Sequence, residues 1–456
     1  MPEHTHQAGA VSFPDGFIWG SSTAAYQIEG AVAEDGRTPS IWDTFSHTPG
    51  KVAHDDTGDI ACDHYHRADD DLDLVRDLGF RTYRFSVAWP RIKPELNGPT
   101  NPIGLDFYDR IVDGLLARGI DPVVTLYHWD LPQYLQDKGG WASRDTVEHF
   151  GEFVDAVVER LGDRVPRWIT LNEPYCSSYI SHWEGRHAPG IRDEATAVAT
   201  VHQLLLGHAR AVEILRARTS GKVGITLNLS DPHPASERAE DRAAAARVDL
   251  IENRIFLDPL FGRGYPADAA THYAGVTDFS FVHDGDLRRI AAPLDFLGVN
   301  YYEQHIVTAD PDDPDRGFRK LPPTPPVTAG RVGVRPDGLF NILTRVHRDW
   351  TAGLPLWITE NGLALHDYVT PDGHCHDPER IEYFDGHFRA AHRAIEAGVP
   401  LEAFIVWSLM DNFEWAEGYR LRFGLVHVDY ATQTRTPKSS AAWLAQVIER
   451  NGLTTT

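Results

Sequence analysis

Eight short, nearly uniform apolar segments recur along the chain, at residues 17–20, 82–88, 122–127, 168–171, 223–229, 296–299, 356–359 and 404–407. None alternates apolar and polar positions, so each predicts a strand covered on both faces, as in parallel sheets. Between them the apolar period lengthens to three and four residues. Over 143–161, Val147, Phe150, Val154, Val157 and Leu161 fall on one stripe, which predicts a helix with Ser143 as N-cap and Gly162 as its stop. A second helix is predicted from about Glu194 to Arg218. Eight strand-then-helix units predict an α/β fold, a (β/α)8 TIM barrel with extended βα loops. No repeat, low-complexity tract or linker divides the chain, so residues 1–456 are read as a single domain, with 1–12 a loosely ordered N-terminal tail.

The polar residues cluster at the strand ends: Arg84, His128 with Trp129, Asn172 with Glu173, Asn228, Asn300, Glu360 and Trp407. In a barrel these ends converge on one face, where active sites of this architecture lie. The longest irregular stretch, 303–336, is rich in Pro and Asp and follows a strand, as functional loops do. Glu173 and Glu360 end the fourth and seventh segments, and strands so placed face each other across a barrel. Two facing carboxylates are what glycoside hydrolysis requires, one to protonate the leaving oxygen and one to act at the anomeric carbon.

Charge narrows the partners. Lys and Arg number 43 against 66 Asp and Glu, a net charge of −23, which repels phosphate backbones and anionic lipid. Neither nucleic acid nor a membrane is expected as a partner. The most apolar stretch, 401–410, is about half a bilayer span, and residues 1–10 contain no apolar leader core. Cys62, Cys176 and Cys375 are too few and too scattered for a disulfide framework. A cytoplasmic location is expected. The clusters at 62–66 and 374–376 fit no zinc-ligand spacing, and His4 and His6 are assigned to terminal disorder. No metal and no cofactor is expected, because two carboxylates suffice.

Several further motifs occur in a fixed order: Phe17-Ile18-Trp19-Gly20, Ala24-Ala25-Tyr26-Gln27-Ile28-Glu29-Gly30, Tyr83-Arg84-Phe85-Ser86, Tyr127-His128-Trp129-Asp130-Leu131-Pro132, Leu171-Asn172-Glu173-Pro174, Ile358-Thr359-Glu360-Asn361-Gly362, Asp411-Asn412-Phe413-Glu414-Trp415 and Arg422-Phe423-Gly424-Leu425-Val426. With them the chain closely resembles glycoside hydrolase family 1, the β-glucosidase-type retaining glycosidases. The resemblance implies that Glu360 is the nucleophile and Glu173 the acid that later serves as base, with their carboxyl groups about 5 Å apart. It implies that Arg84 and Tyr302 hold the nucleophile and that Asn172 bonds the sugar 2-hydroxyl. It makes Gln27, His128, Trp129 and Glu414 a clamp on the other hydroxyls, with Trp407 and Trp415 an indole platform.

Relatives that act on 6-phosphorylated sugars lack the Glu414-Trp415 pair and carry a Ser and Lys site instead. No Lys lies between Leu401 and Tyr430, so a neutral sugar is expected. The implied activity is hydrolysis of terminal β-D-glucosyl residues of small β-glycosides, within carbohydrate metabolism and cellulose degradation. A β-galactosidase or β-fucosidase preference is the rival within the family, and a carbohydrate-binding protein with weak or lost chemistry the rival outside it. Where many relatives place a Trp at the aglycone subsite, this chain reads Gly330-Arg331-Val332-Gly333, which implies weaker apolar stacking and a polar or anionic aglycone.

Overall fold

The computed structural model describes residues 9–313 and 316–455. All eight expected strands form, as β1 (Ile18–Ser22), β2 (Thr82–Ser86), β3 (Asp121–Tyr127), β4 (Arg167–Asn172), β5 (Lys222–Asn228), β6 (Phe296–Asn300), β7 (Leu356–Glu360) and β8 (Leu401–Trp407). They pair in parallel and in chain order, and β8 closes on β1 through Ala403 opposite Ile18 to Trp407 opposite Ser22. Helices occupy the connections, including Pro102–Ala117, Asp145–Leu161, Glu194–Arg218 and Pro378–Glu396. No helix among the described residues is long and apolar enough to cross a membrane.

Side chains inside the barrel fall into two kinds of layer. At one level Val123, Ile169, Phe296, Trp357, Ala403 and Ile405 pack together with almost no exposure, the filled interior this architecture requires. Further along the strands the interior becomes polar: Arg84, Thr125, Thr226, Asn300 and Thr359 bond to one another or to the glutamates. Gly298 makes that change possible on β6. A Cβ there would stand 2.3 Å from Thr226 Oγ1 and 2.8 Å from Thr359 Oγ1, inside van der Waals contact, so only a glycine lets the two hydroxyls meet.

Three expectations are amended. The helix expected from Ser143 begins at Asp145 and has no side-chain cap. Ser143 is already committed to the preceding turn, its N–H bonded to the Gly140 carbonyl at 3.0 Å. Gly162 does end that helix, in right-handed geometry with its N–H on the Val158 carbonyl. The stretch 303–336 is not wholly irregular: Gln304–Ala309 and Phe318–Lys320 join Asp231–Pro234 in a three-stranded sheet beside the barrel mouth. Near the chain's start, Val11 and Ser12 pair with Leu453 and Gly452, so the expected tail does not include them; residues 1–8, including His4 and His6, lie outside the described residues.

Candidate active site

Asn172 and Glu360 enter the barrel interior through breaks in strand register. Ile169 and Trp357 point inward, so counting in twos would send Asn172 and Glu360 outward. The pairing of β4 with β5 shifts between Ile169 and Asn172, and that of β7 with β6 between Ile358 and Glu360. Such irregularities re-aim side chains next to active sites. Glu173 follows β4 with φ +48°, a conformation that costs a non-glycine residue about 1–3 kcal/mol. Its N–H is held on the Thr226 carbonyl at 2.9 Å.

Arg84 ties the site together. Its Nη1 donates to Glu360 Oε1 at 2.7 Å, its Nη2 to Asn172 Oδ1 at 2.7 Å and its Nε to Thr125 Oγ1 at 3.0 Å. The second oxygen of Glu360 accepts from the Tyr302 hydroxyl at 3.0 Å. Burial and the Glu360 charge push the Tyr302 phenol far up, so it stays a donor. Glu173 has different partners: Asn300 Nδ2 donates to its Oε1 at 2.6 Å and the Cys176 thiol to its Oε2 at 3.2 Å. Burial, then the Glu360 charge, raise Glu173 well above the ordinary carboxylate range. Burial raises Glu360 too, but there Arg84 and Tyr302 oppose it. Since only Glu360 has a cation at contact distance, a proton shared by the pair resides on Glu173.

The two carboxylates face a cavity of about 370 Å³, lined by eight of the eleven residues expected at the site. Arg84, Asn172 and Gln27 are buried without lining it. Gln27 donates through Nε2 to Asn412 Oδ1 and the Phe413 carbonyl, lies 3.5 Å from Glu414 Oε2, and leaves its own Oε1 without a partner among the described residues. Asn172 Oδ1 is taken by Arg84 and Asn300, so its Nδ2 faces His128 Nε2 at 3.0 Å. His128 is kept neutral by burial and by Arg84. Its Nε2 therefore accepts, and the proton sits on Nδ1, which has no partner among the described residues. Glu414 is pushed up to about 8 by burial and by Glu360 and Glu173. Trp415 stacks on Tyr26, with ring centroids 6.3 Å apart, and His128 lies between Trp407 and Trp415 in stacked geometry to each.

Some placements differ from the sequence expectation. Trp129 contributes its ring and not a free N–H, because Nε1 donates to the Asn172 carbonyl at 3.0 Å. Arg331 is exposed, at φ +61°, while Gly330 and Val332 on either side of it line the cavity. Two residues that touch Glu173, Asn300 and Cys176, were not assigned roles. Asn300 stood among the polar strand ends, so position alone would have nominated it; nothing in the sequence marked Cys176. The histidines and cysteine of the 62–66 cluster are engaged elsewhere: Cys62 on the Asp411 carbonyl, His64 on Asp71, His66 on Asp63 and Glu34.

The chain's likeness to known proteins agrees with this geometry. The model of Glycosyl hydrolase family 1 matches residues 10–453. A thermostable beta-glucosidase B of Thermobispora bispora is 52% identical over 452 residues, covering 98% of this chain and 92% of the relative. A bifunctional beta-D-glucosidase/beta-D-fucosidase of Bifidobacterium breve is 46% identical, covering 96% and 98%. Among solved structures, the family 1 β-glucosidase of Thermotoga maritima in complex with isofagomine lactam superposes with a TM-score of 0.94 at 46% identity, covering 98% of this chain and 100% of that one.

Proposed function

The chain belongs to glycosyl hydrolase family 1, and we propose that it is a β-glucosidase releasing terminal glucose from small β-glycosides with retention at the anomeric carbon. The observation that carries this reading is the asymmetry of two buried carboxylates on one cavity: Glu360 is bonded to a guanidinium and a phenol, Glu173 to an amide and a thiol. An ionised Glu360 attacks the anomeric carbon and forms the glycosyl ester. The bond from that carbon to the leaving oxygen breaks, and that oxygen takes the Glu173 proton. Esterification removes the Glu360 charge that had helped to raise Glu173. Glu173 then becomes the more readily ionised base, takes a proton from water, and the hydroxide released displaces Glu360.

Arg84 and Tyr302 keep the nucleophile charged and fixed. Asn172, held between Arg84, Asn300 and His128, is placed to meet the 2-hydroxyl, and His128, Gln27, Glu414, Trp407 and Trp415 to bind the rest of the sugar. The chain is read as one domain, since its first strand pairs with its last and β1 closes on β8. Three free, buried cysteines suit a reducing compartment, and a cytoplasmic location is proposed.

The test is nitrophenol release from aryl β-glucoside, β-galactoside and β-fucoside by wild type and Glu360→Gly, with and without azide. The β-glucoside is expected to be cleaved fastest, and azide to restore the variant with α-glucosyl azide as product. A β-azide product would make Glu360 the acid–base residue and overturn its assignment as nucleophile. A faster β-fucoside would transfer the preference to the activity named for the Bifidobacterium relative.

A further inference from the structure

Glu414 is placed by its backbone more than by its side chain. Among the described residues its carboxylate meets one donor, Gln27 Nε2 at 3.5 Å, the outer limit of a hydrogen bond. Its N–H is firmly held, on the Gly418 carbonyl at 2.7 Å. Glu414 and Trp415 stand near the start of the excursion 411–424, which leaves the barrel after β8 and lines the cavity again at Phe423. Whatever fixes that loop therefore fixes one side of the sugar clamp.

Asp411 closes the loop on itself. Its buried carboxylate, at the loop's start, accepts from the loop's end: from Arg422 Nη1 at 2.7 Å and from the Gly424 N–H at 2.9 Å. A Cβ at Gly424 would stand 2.0 Å from the Asp411 nitrogen, so start and end touch backbone to backbone. The third donor comes from elsewhere: Lys438 Nζ at 2.7 Å, on the residue before the last helix, Ser439–Arg450. Lys438 also donates to Asp367 at 2.5 Å, Arg380 donates to Asp367 at 2.7 Å, and Arg380 is paired in turn with Asp377. Burial pushes the Asp367 carboxyl up, but Lys438 and Arg380 outweigh it and hold Asp367 below the usual carboxylate range. Three cations thus face three carboxylates, and the side chains of Lys438, Arg380, Asp411 and Asp377 have no exposed surface. Buried charges so balanced add little stability over apolar packing of the same volume; their best-attested use is to fix one arrangement among several.

From Asp411 the arrangement reaches the cavity in two directions. Forward along the chain, Asn412 Oδ1 and the Phe413 carbonyl hold Gln27 Nε2 at 3.0 and 2.8 Å, and Glu414 follows. At the loop's end, Arg422 lies over the Tyr430 ring, 4.8 Å from its centroid, and the Tyr430 hydroxyl donates to the Asn412 carbonyl at 3.2 Å. Phe423, next to Arg422, packs edge-on against Tyr302, whose hydroxyl bonds Glu360. Lys438 itself does not line the cavity. We propose that Lys438 is a positioning residue of the sugar site: through Asp411 it sets where the loop presents Glu414 to the sugar. The inference rests on the reading of Glu414 as part of the sugar clamp.

The experiment is a double-mutant cycle on kcat and KM for 4-nitrophenyl β-glucoside. Its corners are wild type, the network variant Lys438→Met with Asp367→Asn, Glu414→Ala, and the two combined. The network variant removes one charge of each sign and leaves Arg422 on Asp411 and Arg380 on Asp377. Arg422→Lys, where 17% of the side chain is exposed, keeps the charge and loses the fork; it takes the network variant's place in the cycle if the buried change prevents folding. On the wild-type background KM is expected to rise and kcat/KM to fall about tenfold, the scale of a small misplacement of a positioning group. On the Glu414→Ala background the same change should alter kcat/KM by less than about twofold, since the group being positioned is gone. Loss of folded enzyme alone would lower kcat equally on both backgrounds and leave KM in place. An unchanged KM overturns the proposal, as do equal effects on the two backgrounds. If Glu414→Ala keeps wild-type kinetics, the clamp reading of Glu414 fails and this inference with it; if wild type cleaves no glucoside, the glucosidase reading itself fails.

Discussion

Replacing Asn300 by Ala tests the hydrogen-bond chain that governs Glu173, the proposed acid. Thr226 Oγ1 donates to Thr359 Oγ1 at 3.1 Å, Thr359 to Asn300 Oδ1 at 2.7 Å, and Asn300 Nδ2 to Glu173 Oε1 at 2.6 Å. The amide is thus oriented by its neighbours, and its nitrogen is the atom that faces Glu173. A donor favours the carboxylate over the acid, so Asn300 holds Glu173 below the value that burial and the Glu360 charge would set. A hydrogen bond to a charged group is worth about 1.5–3 kcal/mol, and about 1.4 kcal/mol corresponds to one pKa unit. Its loss should raise Glu173 by about 1–2 units, nearer 1 if a water fills the space. In the proposed role Glu173 must be protonated to act, so the alkaline limb of kcat/KM against pH, which reports the free enzyme, moves up by that amount. Asn300 is also the least of the groups lowering Glu360, so the acid limb follows by less and the bell widens. The plateau falls, because Asn172 loses a bond of 3.1 Å. Cys176→Ala removes a weaker donor at 3.2 Å and should move the alkaline limb the same way by a smaller step. An alkaline limb that stays in place or moves down in Asn300→Ala refutes the reasoning, whatever happens to the plateau.

Arg84→Met leaves Glu360 buried without its cation; the carboxyl is then easier to protonate, so the acid limb moves up and kcat/KM collapses near neutral pH. The same variant loses about 3–5 kcal/mol of stability, the usual result of breaking a buried pair, which a lowered thermal midpoint would register. Trp357→Ala, in the apolar layer under the site, should cost about 3–5 kcal/mol in denaturant titration while leaving both limbs of the pH profile where they are.

The strands were legible because a parallel strand covered on both faces is apolar at every position, and eight such runs separated by helical stripes leave little choice of architecture. The glutamates were legible for a related reason: a charged residue closing an apolar run has to be placed somewhere, and a barrel sends strand ends to one rim. Contacts between distant segments were not legible. Lys320 and Glu252 lie 68 residues apart, and each alone reads as a surface charge. Nor could periodicity have shown how Glu360 enters the barrel. Thr359 and Glu360 are adjacent and should face opposite ways, yet both reach the interior, Thr359 onto Asn300 and Glu360 onto Arg84. The register shift between Ile358 and Glu360 reconciles them. The strand gives up one regular pairing step, and in return Glu360 stands beside the hydrogen-bond chain that ends on Glu173. A β7 with unbroken register would keep the fold and put the carboxylate outside it.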